Sequence, residues 1–246
     1  MKKLTALWVV LCLVLSGIGT VSAEEAALYS YEVLADGTAR LTGCNDLGET
    51  VVLPAEIDGY KISEIGEMLF LRNGYVRTVV IPDGVRVIGA GAFQETRIEQ
   101  VFLPEGLEVI DMQAFFACVE LDRLVIPSTV TSIGEHAVGF GYYVDPAYPD
   151  LIPGAVGVRE AFTLIADDNA YAEEYAASLG IACKTPADFP LGDTDYNGSA
   201  NAADGRELLS NVLKGYVSRW TVSDMNRNGI ADTSDVRLLL KALVLH

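Results

Sequence analysis

The 246-residue chain is half apolar and carries 34 acidic against 17 basic residues, a formal net charge of −17. Such an excess of carboxylates disfavours nucleic acid and anionic membrane surfaces as partners. Its apolar content and strong periodicity exclude a disordered chain and point to a globular one.

The N-terminus sets the compartment. Lys2 and Lys3 precede an apolar run over 4–15, and Val21, Ser22 and Ala23 then offer a small-residue cleavage site before Glu24. This pattern predicts a secretory signal peptide over 1–23 and a secreted, extracellular protein. The run is too short to span a bilayer comfortably. Three cysteines remain beyond it, Cys44, Cys118 and Cys183. An odd, widely spaced set predicts buried small apolar residues rather than a disulfide framework.

Residues 24–50 form the next predicted unit, an N-terminal cap. Stretches 31–35 and 38–42 flank Asp36 and Gly37, a pairing that predicts a hairpin with an Asp-Gly turn. A repeat array follows over 51–184. Four segments align: VVLP at 51–54, VVIP at 79–82, VFLP at 101–104 and LVIP at 124–127. Their prolines are 28, 22 and 23 residues apart. A second shared piece follows each, ISEIG at 62–66, VRVIG at 85–89, LEVID at 107–111 and VTSIG at 130–134. Next comes Ala-Phe or its relic, at 69–70, 92–93, 114–115 and 137–138. A period of twenty-odd residues with fixed apolar positions means a solenoid, because one unit cannot bury its apolar side alone. The motif resembles the BspA-type leucine-rich repeat of bacterial surface and secreted proteins, over roughly 31–184.

Alternation along each repeat strand makes two rows. With Leu53, Ile81, Leu103 and Ile126 directed to the core, Val52, Val80, Phe102 and Val125 are expected to face outward. They would form an apolar ligand strip beside a polar row of Thr50, Thr78, Gln100 and Arg123. The plainer expectation is a β-branched ladder that only stabilises the sheet. An aromatic-rich insertion, 140–153, interrupts the array. Its tyrosines Tyr142, Tyr143 and Tyr148 are expected to pack on the scaffold, or else to stack on a sugar. The array then closes with a predicted strand over 162–166, a helix over 170–179 ended by Gly180, and a last strand over 181–184. A short linker with Pro186 and Pro190 occupies 185–192.

The last 54 residues, 193–246, carry two copies of one oxygen-rich loop, starting 31 residues apart. The first places Asp193, Asp195, Asn197, Asn201 and Asp204 at positions 1, 3, 5, 9 and 12. The second places Asp224, Asn226, Asn228, Asp232 and Asp235 there. Gly198 and Gly229 fall at position 6, and Ser199 and Ile230 can offer backbone carbonyls from position 7. Calcium takes roughly six to eight oxygens at about 2.3–2.6 Å, and this spacing turns successive oxygens inward around one ion. Two bound Ca2+ ions are therefore expected. An apolar helical run follows each loop: Leu208, Leu209, Val212 and Leu213, then Val236, Leu239, Leu240 and Leu243.

A calcium loop with one exiting helix, duplicated at a chain terminus, resembles the type I dockerin of cellulosomes, over roughly 191–246. The resemblance implies a small all-α domain that binds the cohesin module of a scaffoldin. It implies contacts through Ala202, Ala203, Leu209, Ser210 and Lys214 in the first copy. In the second it implies Thr233, Ser234, Leu240, Lys241 and Leu245. The copies differ at these positions, so one preferred docking face is expected.

The fold class expected is α+β: a leucine-rich-repeat solenoid followed by a small all-α calcium-loop domain. His136 and His246 are the only histidines, and no nucleophile, base and orienting acid stand at a recognisable spacing. The function expected is a non-catalytic cellulosome component whose repeats recognise a protein or plant polysaccharide. The alternative is a carbohydrate-active enzyme or protease inhibitor carried on the repeats.

Overall fold

The structure, a computed structural model, describes residues 28–45, 48–143, 155–194, 196–201, 203–205, 208, 235, 236, 238 and 239. These divide into two compact units with the break between Lys184 and Thr185. The signal peptide over 1–23 lies outside the described residues. Among the described residues, no helix is long and apolar enough to cross a membrane.

The first unit opens with β1 (Tyr29–Val33) and β2 (Ala39–Cys44), antiparallel partners around the Asp-Gly turn. Gly37 sits at φ +82 there, a conformation glycine adopts without penalty. The first repeat gives β3 (Thr50–Val52), a short β4 (Glu56–Ile57) and β5 (Tyr60–Ile65). The second gives β6 (Thr78–Val80) and β7 (Val87–Ile88). The third gives β8 (Gln100–Phe102) and β9 (Val109–Ile110), and the fourth β10 (Arg123–Ile126) and β11 (Ser132–Ile133). The first repeat therefore builds three strands and each of the others two, where the motif led us to expect one. The proline-ended pieces stack in parallel as β3-β6-β8. The Ile-Gly pieces extend the cap hairpin into a second sheet, β1-β2-β5-β7-β9-β11. The cause is local: once neighbouring copies stack, the backbone groups of these two-residue pieces must also find partners, and the next copy is in reach.

The core lies inside this coil. Val51, Val79 and Val101 line it from one sheet, Leu124 from β10, and Ile65, Ile88, Ile110 and Ile133 from the second sheet, all less than 8% exposed. Phe70, Phe93 and Phe115 stack between them. Their ring centroids are 5.2 and 5.1 Å apart and the planes differ by 11° and 3°. Stacking at this separation adds to the burial of three large rings.

The turns before each phenylalanine also pair from copy to copy. The Met68 N–H donates to the Ala90 carbonyl, that of Gly91 to Met112 and that of Gln113 to Glu135, each at 3.0 Å. Met68, Gly91, Gln113 and His136 occupy one place in successive repeats, and all have φ between +53 and +61. For the three that are not glycine this conformation is costly, and the ladder around them holds it. The Ile-Gly glycine has a different reason. A Cβ on Gly134 would stand 2.3 Å from the Met112 nitrogen, so the copies meet backbone to backbone.

The array closes with β12 (Phe140–Tyr143) and β13 (Ala155–Val158), an antiparallel pair formed by the ends of the insertion. β14 (Thr163–Ala166) then pairs with β10 and with β15 (Ala182–Lys184). Between β14 and β15 lies α1 (Ala170–Leu179), ended by Gly180 at φ +72. Asn169 fixes α1 to the fourth repeat. Its Oδ1 accepts from the Ala172 N–H at 2.9 Å, and its Nδ2 donates to the Pro127 and Val130 carbonyls at 2.7 and 2.9 Å. Asn169→Ala is expected to cost about 1–3 kcal/mol, since it removes an N-cap and strands buried carbonyls. Asn169→Asp, which keeps the cap acceptor but loses the donor, should recover only part of this. Urea midpoints followed by circular dichroism measure both.

The cysteine expectation needs correction. Cys118 is buried, but Cys44 is half-buried and Cys183 exposed. Cys183 lies on β15, the edge strand of its sheet among the described residues. Burial pushes the Cys118 thiol up to about 11.

In the second unit, the segment expected as a linker holds a 3-10 turn, Pro186–Asp188. Thr185 and Asp188 close it reciprocally, the Thr185 N–H donating to Asp188 Oδ2 at 2.7 Å. Beyond the first loop Ala203, Asp204, Gly205 and Leu208 are helical, as are Asp235, Val236, Leu238 and Leu239. Leu208, Val236 and Leu239 are buried, in keeping with an apolar face on each helical run.

Candidate recognition surfaces and calcium loop

The outer row of the repeat sheet is in register as expected: Val52 lies opposite Val80, and Val80 opposite Phe102. It is not an open strip. Val52 is 47% exposed and Phe102 half-buried, but Val80 and Val125 are only 8% and 7% exposed. Neighbours in a row stand about 4.8 Å apart, so a valine between larger or equal side chains is shielded by them. Val80 lies between Val52 and Phe102, and Val125 lies opposite Ile165 of β14. Val80 and Val125 therefore leave the expected ligand surface, which contracts to Val52 and Phe102. Beside them Thr50 and Gln100 are exposed, and Thr78 and Arg123 half-buried.

The turn face, which the repeat motif did not single out, exposes more apolar surface. Tyr75, Val119, Met68 and Met112 are 69, 61, 57 and 46% exposed. The available signal was a mismatch between copies: Met68 and Met112 stand at turn positions filled elsewhere by Gly91 or His136, and by Ala90 or Glu135. A polar chain crosses this face. Arg72 pairs with Glu95 at 2.9 Å, and the Tyr142 hydroxyl donates to Glu95 Oε1 at 3.0 Å. The Arg72 guanidinium holds the Glu95 carboxyl below the usual range, while its bond to Glu95 holds the Tyr142 phenol above its own. The Tyr142 ring meets Phe116 edge-on, centroids 5.1 Å apart. The insertion thus packs at least one aromatic on the scaffold; its middle, 144–154 with Tyr148, lies outside the described residues.

Of the first calcium loop, Asp193, Asn197, Ser199, Asn201 and Asp204 are described; of the second, Asp235. Asp195, Asp224, Asn226, Asn228, Ile230 and Asp232 lie outside the described residues. So do the docking positions Ala202, Leu209, Ser210, Lys214, Thr233, Ser234, Leu240, Lys241 and Leu245. Ala203 is described and exposed.

The first loop is curled by its own carboxylates. Asp193 accepts from the Asn197 N–H at 3.0 Å and from the Gly198 N–H at 2.7 Å. Asp204 accepts from the Thr194 N–H at 2.8 Å and the Asn201 N–H at 2.7 Å. Position 1 thus draws in positions 5 and 6, and position 12 draws in positions 2 and 9. Gly198 takes φ +95, which the tight turn requires. Both carboxylates are fully buried, as is that of Asp235. These donors are hard oxygens, the chemistry calcium prefers. Among the described residues, no three acidic, histidine or cysteine side chains gather closely enough to hold a metal by themselves.

Residues 50–140 match the family model described as BspA type Leucine rich repeat region, in six copies. This stretch is a BspA-type leucine-rich repeat region. The BspA-type match spans β3 to β11, the paired strands, the phenylalanine stack and the stacked turns, and it stops at residue 140. Among solved structures the chain is similar to a leucine-rich repeat protein of T. pallidum, at 22% identity over 73% of this chain and 78% of that one, with a TM-score of 0.47. It is also similar to a leucine-rich repeat protein from Bacteroides capillosus, at 26% identity over 61% of this chain and 99% of that one, TM-score 0.45. A leucine-rich repeat protein from Bacteroides ovatus matches at 20% identity over 61% of this chain and 37% of that one, TM-score 0.40. No curated protein matches the chain.

Proposed function

We propose that the protein is an exported, non-catalytic recognition component. In this proposal the BspA-type region presents a protein-binding surface, and the C-terminal unit is ordered by calcium and docks onto a cohesin. The observation that carries the docking half is the first loop. Its position-1 and position-12 carboxylates are buried and gather the backbone of positions 2, 5, 6 and 9 around them. Asp193, Asn197, the Ser199 carbonyl, Asn201 and Asp204 would hold the ion, together with Asp195. Calcium supplies the positive charge that lets these carboxylates share one loop.

The recognition half is supported by the exposed Val52 and the half-buried Phe102, which flank Val80 on a parallel sheet. A non-catalytic role is supported by the state of the surface acids. Glu120 pairs with Arg77 and Arg97, and Glu95 with Arg72, so these carboxylates tie one repeat to the next. A glycosidase acid needs its carboxyl raised, and Glu95 is held in the opposite direction.

Calorimetric titration of the full chain against a panel of type I cohesins, with calcium and with chelator, tests the proposal. Binding only with calcium is the expected result. Calcium uptake without any cohesin partner would end the docking role and leave a metal-stabilised recognition protein.

A further inference from the structure

We propose a second interaction surface on the turn face, separate from Val52 and Phe102, that takes a protein segment bearing bulky apolar side chains flanked by lysine or arginine. Its centre is a pair of methionines. Met68 and Met112 come from the first and third repeats, about 10 Å apart by two repeat spacings. Between them lies Gly91, and the side chains of its neighbours close over it: Met68 Cγ lies 3.6 Å from where its Cβ would stand, and Gln94 Oε1 3.0 Å. Two unbranched, polarisable side chains over a glycine can reshape around an apolar group, which is how methionine serves adaptable interfaces. Met68, at 57%, is more exposed than Val52, the most exposed large apolar residue of the repeat sheet, and Met112, at 46%, nearly equals it.

Charge selects the partner. Glu67, Asp111 and Glu135 stand exposed beside the methionines, at equivalent or adjacent places in the first, third and fourth repeats. The bases nearby are already engaged: Arg72 pairs with Glu95 at 2.9 Å, and His136 lies 3.8 Å from Glu135. The Asp111 carboxylate accepts from the Met112 N–H at 2.6 Å, which fixes it next to the second methionine. An apolar centre rimmed by carboxylates complements a cationic apolar segment and repels an acidic one.

The test uses the full chain and two fluorescein-labelled peptides of equal charge, one alternating leucine with lysine and one alternating serine with lysine. Anisotropy is read at physiological salt. The leucine peptide should bind at least tenfold more tightly than the serine peptide. Met68→Ser with Met112→Ser should weaken the leucine peptide about tenfold or more, while circular dichroism shows the fold intact. Glu67→Gln with Glu135→Gln should weaken both peptides and flatten their salt dependence. Phe102→Ala and the cohesin titration should be unaffected by any of this, which separates failure here from failure of the proposed function. Equal binding of the two peptides would mean that net charge alone attracts them, and would overturn the proposal. Undiminished binding by the double-methionine variant would overturn it equally.

Discussion

Phe93→Ala should destabilise the repeat unit by about 3–5 kcal/mol, the usual cost of emptying a fully buried phenylalanine site. Phe93 has no exposed surface and is the middle ring of three. Its removal takes a stacking face from both Phe70 and Phe115. The backbone there cannot close in, because the Phe93 N–H donates to Ala114 at 2.8 Å and its carbonyl accepts from Thr96 and Cys118 at 2.9 and 3.0 Å. In a solenoid, stability is a sum over repeats and their interfaces, so a central cavity weakens two interfaces at once. Phe93→Leu refills much of the volume and should cost less than half as much. The fourth repeat already carries an aliphatic, Val138, at this place, where the phenylalanine stack has ended. Urea denaturation followed by circular dichroism measures both variants. A loss below about 1 kcal/mol for Phe93→Ala would show that neighbouring rings collapse into the gap.

The second large effect is confined to the other unit. With calcium at a hundred times its dissociation constant, the ion should stabilise the C-terminal unit by about 2.7 kcal/mol, and a chelator should remove that amount. Asp204→Ala should abolish the calcium response. It should also leave the N–H groups of Thr194 and Asn201 without their acceptor, a further cost of about 1–3 kcal/mol. Asp204→Asn keeps an acceptor but not the charge, and should separate the two effects. Differential scanning calorimetry of the full chain with and without calcium checks this. The repeat transition should stay fixed while the smaller one moves. Two transitions that ignore both calcium and the substitution would refute the calcium assignment.

The parts of the fold that follow from local chemistry were legible in the residues. Asp36 and Gly37 announced the cap hairpin, and Gly180 marked the end of α1 at Leu179. The spacing of Pro54, Pro82, Pro104 and Pro127 announced the array. The parts that depend on what stacks against what were not. Val80 and Val125 alternate outward as the pleat demands, yet the side chains beside them shield them. Cys183 looks like a core residue by type, but it falls on what is, among the described residues, an edge strand, and it is exposed there. The second sheet was hidden because two-residue strands such as Val87–Ile88 are too short to show a period. The left-handed conformations of Met68 and Gln113 had no signal, since neither is a residue that favours them; only His136, at the same place in the fourth repeat, is of a type enriched there. The curl of the first loop follows from residues within twelve consecutive positions, since Asp193 and Asp204 close it through the backbone N–H groups of Thr194, Asn197, Gly198 and Asn201.

The turn ladder has a consequence for how such a chain changes its length over generations. Each repeat donates to the next at an offset of 21 or 22 residues, Met68 to Ala90, Gly91 to Met112 and Gln113 to Glu135. Removing or duplicating one such stretch joins a donor to an acceptor of the same geometry. Neither the Asp-Gly hairpin at one end nor the Asn169 clamp at the other would meet a new neighbour. The gene can therefore gain or lose whole repeats by unequal exchange, without designing a new cap each time. Insertions of other sizes must leave the ladder, as the chain does after β12.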